Sequence, residues 1–128
     1  MEKMEFLGQQ TKISNELTEL YRQQDKKRDE LDKLRDDWCQ ELCKQYEQYK
    51  GKRVKVVFEK VGKNYINETY IARKECEGFI QGFSHKRRYT SDIMMDIAKV
   101  KKDGSPSKVL FSDLEMFSWQ EIVSVTEV

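Results

Sequence analysis

Apolar residues recur every three or four positions along the first 50 residues of the chain, and polar residues fill most of the positions between them. From Thr11 to Lys50 there is neither glycine nor proline, so no residue in this stretch is a strong helix breaker. The apolar positions are Ile13, Leu17, Leu20, Leu31, Leu34, Trp38, Leu42, Tyr46 and Tyr49. Gln24 and Lys27 keep the same spacing but are polar. The pattern predicts one long amphipathic helix with a polar interruption, within residues 1–50.

Such a helix needs a partner for its apolar side, because an amphipathic helix that packs against nothing is only marginally stable. The heptad-like spacing favours a coiled-coil homodimer, in which Gln24 and Lys27 set the register at some cost in stability. The residues expected to oligomerise are Ile13, Leu17, Leu20, Leu31, Leu34 and Trp38. The alternative is a helical hairpin that breaks within residues 21–30 and folds the first half of the pattern onto the second.

The pattern changes to short β-rich runs after Gly51, a residue well placed to end the helix. Residues 51–128 contain five or six candidate strands, and Gly78 and Gly82 supply bends within one of them. A short strand, a helical turn and a final strand close this segment, an arrangement that resembles the close of SH3-like and other small barrels. We therefore expect the α+β class, with a long N-terminal helix followed by a small antiparallel SH3-like β-barrel.

The 24 basic and 23 acidic residues nearly cancel, but they are distributed unevenly along the chain. From Lys50 to Lys102 there are 14 basic and 6 acidic residues. This segment predicts an electropositive face on the barrel, where arginine side chains can bind carboxylates or phosphates in a fork geometry. The expected members of this face are Arg53, Lys86, Arg87, Arg88, Tyr89 and Lys101.

These features favour a non-enzymatic protein–protein interaction module that binds an acidic protein surface through the basic face. The alternative is a protein that binds RNA or single-stranded DNA with the same face, since Tyr89 can stack on an unpaired base. A third hypothesis, for which no residue is evidence, is an inhibitor encoded by a phage or mobile element that occludes a host enzyme.

The residues with reactive side chains do not form a recognisable catalytic or metal-binding motif, and we expect neither catalytic residues nor a cofactor. Three cysteines and the single histidine match the ligand count of a structural zinc site, but their spacing is unlike that of known zinc motifs. These residues are Cys39, Cys43, Cys76 and His85. Buried thiols are the favoured interpretation, and His85 is expected in a hydrated turn because three cations follow it directly.

The compartment is suggested by what the sequence lacks. No apolar run approaches the roughly 18 residues of a membrane span, and an odd number of cysteines is poorly suited to a disulfide framework. We therefore expect a cytoplasmic protein without a membrane partner.

Aromatic residues gather at two places, the end of the helical pattern and the region of the last strand. The first group is Trp38, Tyr46 and Tyr49, and the second is Phe111, Phe117 and Trp119. We favour the interpretation that they dock the helix onto the barrel, because a small barrel needs aromatic area for its stability. The alternative is a binding hot spot for another protein.

Overall fold

The structure is a computed structural model, and it describes residues 2–85, 93–112, 115 and 118–128. Within these residues the chain forms one long helix and a five-stranded antiparallel sheet. The α+β class is therefore confirmed.

Helix α1 runs without a break from Lys3 to Gln45. Ion pairs at a spacing of three residues support it across the polar interruption, where Arg22 Nη2 lies 2.7 Å from Glu19 Oε1 and Lys27 Nζ lies 3.1 Å from Glu30 Oε2. The single long helix is thus confirmed, and the hairpin alternative is wrong. A 3₁₀ turn, Glu47–Tyr49, follows the helix, and Gly51 then adopts a φ of 74°, which favours glycine.

The sheet follows the helix and contains five strands in the order β4-β3-β2-β1-β5, with every neighbouring pair antiparallel. The strands are β1 (Val54–Lys63), β2 (Thr69–Ser84), β3 (Met94–Val100), β4 (Pro106–Leu110) and β5 (Ile122–Glu127). A second 3₁₀ turn, Trp119–Glu121, leads into β5. Strands β4 and β5 are the two ends of an open sheet. The predicted closure into an SH3-like barrel is therefore not confirmed.

The long strand β2 changes its partner part-way along. Residues 69–78 pair with β1, whereas residues 79–84 pair with β3. Gly78 stands at the change, where a Cβ would lie only 2.3 Å from the carbonyl oxygen of Ala98. The register with β3 shifts between Ile80 and Gly82, so both predicted glycine positions mark irregular points of the strand.

The chain divides into two compact units, Met1–Leu34 and Arg35–Val128. The second unit contains the last turns of α1 and the whole sheet, and it holds the hydrophobic core. Its largest fully buried side chains are Phe58, Leu42, Met95, Ile97, Val54 and Val56. The predicted boundary between residues 50 and 51 stays a prediction.

We expect Gly78→Ala to lower the free energy of unfolding by about 1–3 kcal/mol, because the added methyl group overlaps a backbone oxygen that cannot move freely. Urea denaturation of the full chain measures this loss. Gly8→Ala is the matched control, since a Cβ at Gly8 meets no atom within 4 Å and alanine is the better helix former. A Gly78→Ala protein as stable as the parent would show that β2 and β3 are not this close.

Candidate functional site

The apolar side of α1 is exposed along the first compact unit. The apolar stripe, which we define as Ile13, Leu17, Leu20, Leu31, Leu34 and Trp38, follows the spacing of three and four predicted from the sequence. Leu34 is 65% exposed, Leu20 60% and Ile13 56%. Leucine and isoleucine side chains on one side of a helix gain most from burial against another apolar surface. The stripe is therefore a candidate interface.

Trp38 differs from the other members of the stripe because it belongs to the second compact unit, where it contacts the 3₁₀ turn before β5. Its ring meets that of Trp119 edge to face, with 5.6 Å between the ring centroids. The ring of Tyr46 packs against that of Phe83, with 5.4 Å between the ring centroids. The Tyr49 hydroxyl donates a hydrogen bond to the Val125 carbonyl oxygen. These contacts agree with the docking interpretation for Trp38, Trp119, Tyr46 and Tyr49. Phe117 lies outside the described residues.

Cations along β1 and β2 are engaged with carboxylates on the same face of the sheet. Arg53 Nη2 lies 2.7 Å from Glu77 Oε2, and Lys55 Nζ lies 3.1 Å from Glu75 Oε2. Arg53, the first member of the predicted basic face, therefore has an acidic neighbour that offsets its charge. Antiparallel register creates these pairs, because it sets Arg53 and Lys55 close to the acidic residues of β2.

Of the other members of the predicted basic face, the structure describes only Lys101. Lys101 is exposed in the turn between β3 and β4, where its N–H donates to the Ser105 carbonyl oxygen. Lys86, Arg87, Arg88 and Tyr89 lie outside the described residues. Their role in binding stays a prediction.

A cleft of about 470 Å³ lies between the last turn of α1 and the second half of β2. Its lining includes Cys43, Tyr46, Lys50, Phe79, Gly82 and Phe83. A Cβ at Gly82 would lie 3.9 Å from the Cys43 sulfur, an ordinary contact distance. This volume falls within the range of clefts that bind small molecules.

His85 is buried, so the predicted hydrated turn is wrong for this residue. Only 4% of its side chain is exposed, and its Nε2 lies 2.7 Å from Asp36 Oδ1. Because Asp36 belongs to α1 and His85 directly follows β2, the contact fastens the helix to the end of the strand. The geometry is that of a structural polar contact, in which burial makes the partner necessary.

The three thiols are free. Cys39 and Cys76 are buried as expected, but Cys43 is exposed, so the expected burial is wrong for this residue. Burial raises the pKa of the Cys76 thiol to about 11, and burial together with the nearby Asp36 carboxylate also raises the pKa of Cys39. Among the described residues, no group of three or more histidine, cysteine, aspartate or glutamate side chains is arranged to hold a metal ion.

The hairpin of β1 and β2 carries an exposed apolar surface that the sequence pattern did not indicate. We call residues 59–73 the β1–β2 arm. Val61 is 68% exposed, Ile71 66% and Tyr65 99%. A run of alternating apolar and polar residues predicts a strand with one buried face, so the pattern gave no sign that this part of the hairpin extends beyond the core.

No protein-family model matches the chain, and no curated protein or solved structure matches it either. We therefore infer a function from the surfaces of the chain itself. Within the described residues, no helix combines the length and the apolar character that crossing a membrane requires.

We expect Asp36→Ala to lower the free energy of unfolding by about 1–3 kcal/mol, because it removes the acceptor or donor facing a buried His85 ring nitrogen. Thermal or urea denaturation at neutral pH measures the change. Asp37→Ala is the control, since Asp37 is the neighbouring aspartate and is exposed. Equal stability of the two variants would contradict a structural role for the His85 contact.

We expect iodoacetamide at pH 8 to modify Cys43 in the native protein and to leave Cys39 and Cys76 intact. Cys43 is exposed, whereas burial and the raised pKa values keep the other two as protonated, inaccessible thiols. Mass spectrometry of the intact protein counts the modified thiols. Cys43→Ser should abolish the reaction, and rapid modification of that variant would show that the core opens easily.

Proposed function

We propose that this protein is a non-enzymatic interaction module that self-associates through the apolar stripe of α1 and binds an acidic protein partner with its sheet unit. The observation that carries the proposal is the exposure of the stripe. Large apolar side chains follow one side of α1 at heptad spacing while remaining 43–65% exposed from Ile13 to Leu34.

The cost of leaving this stripe in water supports a helical partner. Each leucine or isoleucine side chain that becomes fully buried stabilises an association by about 1.5–3 kcal/mol. The stripe has heptad positions a at Leu17 and Leu31, and positions d at Ile13, Leu20 and Leu34. These are the positions that fill the seam between two supercoiled helices.

The polar interruption fits a seam that selects one register. Gln24 occupies position a and Lys27 position d in the middle of the stripe. Polar residues at such positions lower the stability of a coiled coil but disfavour shifted arrangements, which would bury them against leucine. The interruption therefore limits which helices can pair with α1.

The residues beside the seam complement those of a second copy in parallel orientation. Glu30 stands at position g and Arg35 at position e of the next heptad. In a parallel dimer each position g faces position e of the following heptad in the other chain, so Glu30 of one copy meets Arg35 of its partner. Two such pairs form in each dimer, which supports self-association over pairing with an unrelated helix.

The excess of cations between Lys50 and Lys102 supports the second half of the proposal, binding of an acidic protein partner. Lys101 is exposed in its turn, whereas Arg53 and Lys55 already have carboxylate neighbours. An acidic partner would bind exposed cations such as Lys101 by electrostatic complementarity, which mainly raises the association rate and specificity.

We expect replacement of Leu31 and Leu34 by serine to lower the oligomeric mass of the full chain, because the change removes two adjacent apolar layers from the seam. Light scattering coupled to size exclusion measures the mass, before and after nuclease and high-salt treatment. The control is Asp29→Ser with Lys33→Ser, which changes two positions away from the seam. A mass that falls with nuclease would favour the nucleic-acid alternative instead.

Lys27→Leu provides a second variant that does not risk unfolding. If position 27 enters the seam, the substitution should lower the dissociation constant of the dimer by at least roughly tenfold, since two buried leucines replace two lysines. Sedimentation over a range of concentrations measures this constant. An unchanged constant, or a monomer in both proteins, would overturn self-association through the stripe.

A further inference from the structure

The β1–β2 arm extends beyond the strands on either side of it. Strand β5 pairs with β1 only from Val54 to Phe58, and β3 pairs with β2 only from Phe79 to Ser84. Residues 59–63 of β1 are therefore paired with β2 on one side, while β5 does not cover them on the other. A strand edge of this kind offers backbone groups to another strand.

The hydrogen-bond pattern shows which backbone groups face this edge. The Asn64 N–H donates to the Glu68 carbonyl, so the even-numbered residues of β1 direct their backbone N–H and C=O groups towards β2. The Val128 N–H donates to the Arg53 carbonyl, so the odd-numbered residues of β1 direct their backbone groups towards the side on which β5 lies. Because the ten pairs between β1 and β2 continue without a shift, this alternation reaches the arm. Glu59, Val61 and Lys63 thus direct their N–H and C=O groups to the edge.

The side chains of these three residues also share one face of the arm. Val61 stands directly opposite Ile71 of β2 on that face, and the two are 68% and 66% exposed. A two-stranded ribbon is marginally stable in water by itself. An apolar pair on such a ribbon, next to an edge that β5 leaves uncovered, indicates a surface that another strand covers.

We propose that the occupant is the same edge of a second copy, paired antiparallel about a two-fold axis at Val61. In this register Val61 lies opposite Val61 of the second copy. Glu59 lies opposite Lys63 of the second copy, and Lys63 lies opposite its Glu59. Each charged residue meets its opposite, and directly opposed residues of opposite charge stabilise an antiparallel pair.

The neighbouring registers do not share this complementarity. The edge-facing groups are on odd-numbered residues, so the pairing can shift only in steps that keep odd residues opposite odd residues. A shift in one direction sets Val61 against Glu59 of the second copy, and a shift in the other sets it against Lys63. Only the centred register matches apolar with apolar and acid with base.

The contact is isologous, so it closes as a dimer and joins the two sheets without leading to a fibre. The apolar row then runs across both copies, from Ile71 through the two Val61 side chains to the second Ile71. This inference does not depend on the stripe of α1, because the arm lies entirely in the sheet unit.

Cysteine cross-linking tests the register directly, in a Cys43→Ser background that removes the exposed native thiol. Val61→Cys should form a disulfide-linked dimer under mild oxidation, because hydrogen-bonded opposed residues have Cα atoms about 5.5 Å apart, within the range that a disulfide spans. Glu59→Cys and Lys63→Cys should each cross-link poorly alone. A mixture of these two variants should give the heterodimer.

The non-covalent contact is tested in the Leu31→Ser, Leu34→Ser protein, so that association through α1 does not contribute. At high concentration this protein should still form a dimer that Val61→Lys abolishes, because two lysines would then oppose each other. Val109→Lys is the matched control, since Val109 is 58% exposed on the edge strand β4.

The outcomes separate the two interfaces. If the full chain does not dimerise through α1 but Val61→Cys cross-links efficiently, the arm pairing is supported and self-association through α1 is contradicted. Equal cross-linking of Val61→Cys, Glu59→Cys and Lys63→Cys, or a monomer at all concentrations in the helix variant, would overturn the arm pairing.

Discussion

The sheet depends on a close approach between two backbones, where Gly78 of β2 passes the carbonyl of Ala98 in β3. A side chain at this position would fill the space that the two strands share. The approach allows β2 to leave β1 and continue beside β3, so that one strand of 16 residues links both halves of the sheet. The core residues Phe58, Met95 and Ile97 come together because this strand holds β1 and β3 in one layer.

A second feature of the structure is the solvent-exposed apolar surface on α1 and on the β1–β2 arm. The first compact unit leaves leucine and isoleucine side chains of α1 exposed, and the arm leaves Val61 and Ile71 exposed. Single exposed apolar residues are common on protein surfaces, but rows at a regular spacing concentrate the gain from burial along one line. The stripe and the Val61–Ile71 pair also have charged neighbours of opposite sign, an order of side chains that supports the two proposed self-associations.

Much of the fold could be predicted from the sequence because periodicity reports local geometry. The spacing of three and four predicts α1, and the strands after Gly51 follow from short alternating runs. The extent of each strand pairing could not be predicted, since it depends on contacts between distant residues. The sequence pattern therefore gave no indication that the pairing of β5 with β1 ends at Phe58, so that β5 does not reach the arm.

The candidate sites illustrate the same limit at the level of single residues. Arg53 belongs to a basic stretch of sequence, yet the register brings Glu77 to it from across the hairpin. His85 precedes three cations in the sequence, yet its position at the end of β2 brings its ring next to Asp36 on α1. Charge counted along the chain cannot foresee either neighbour, because each comes from a segment more than twenty residues away.

The order of the strands along the chain has a consequence for synthesis on the ribosome. Strands β1 and β2 are adjacent in sequence, so their hairpin can form as soon as both have emerged. Strand β5 is made much later, after Trp119. Until then β5 covers no part of the outer edge of β1, from Val54 to Lys63. Nascent chains on one messenger RNA therefore expose the same edge to each other before β5 covers its inner half.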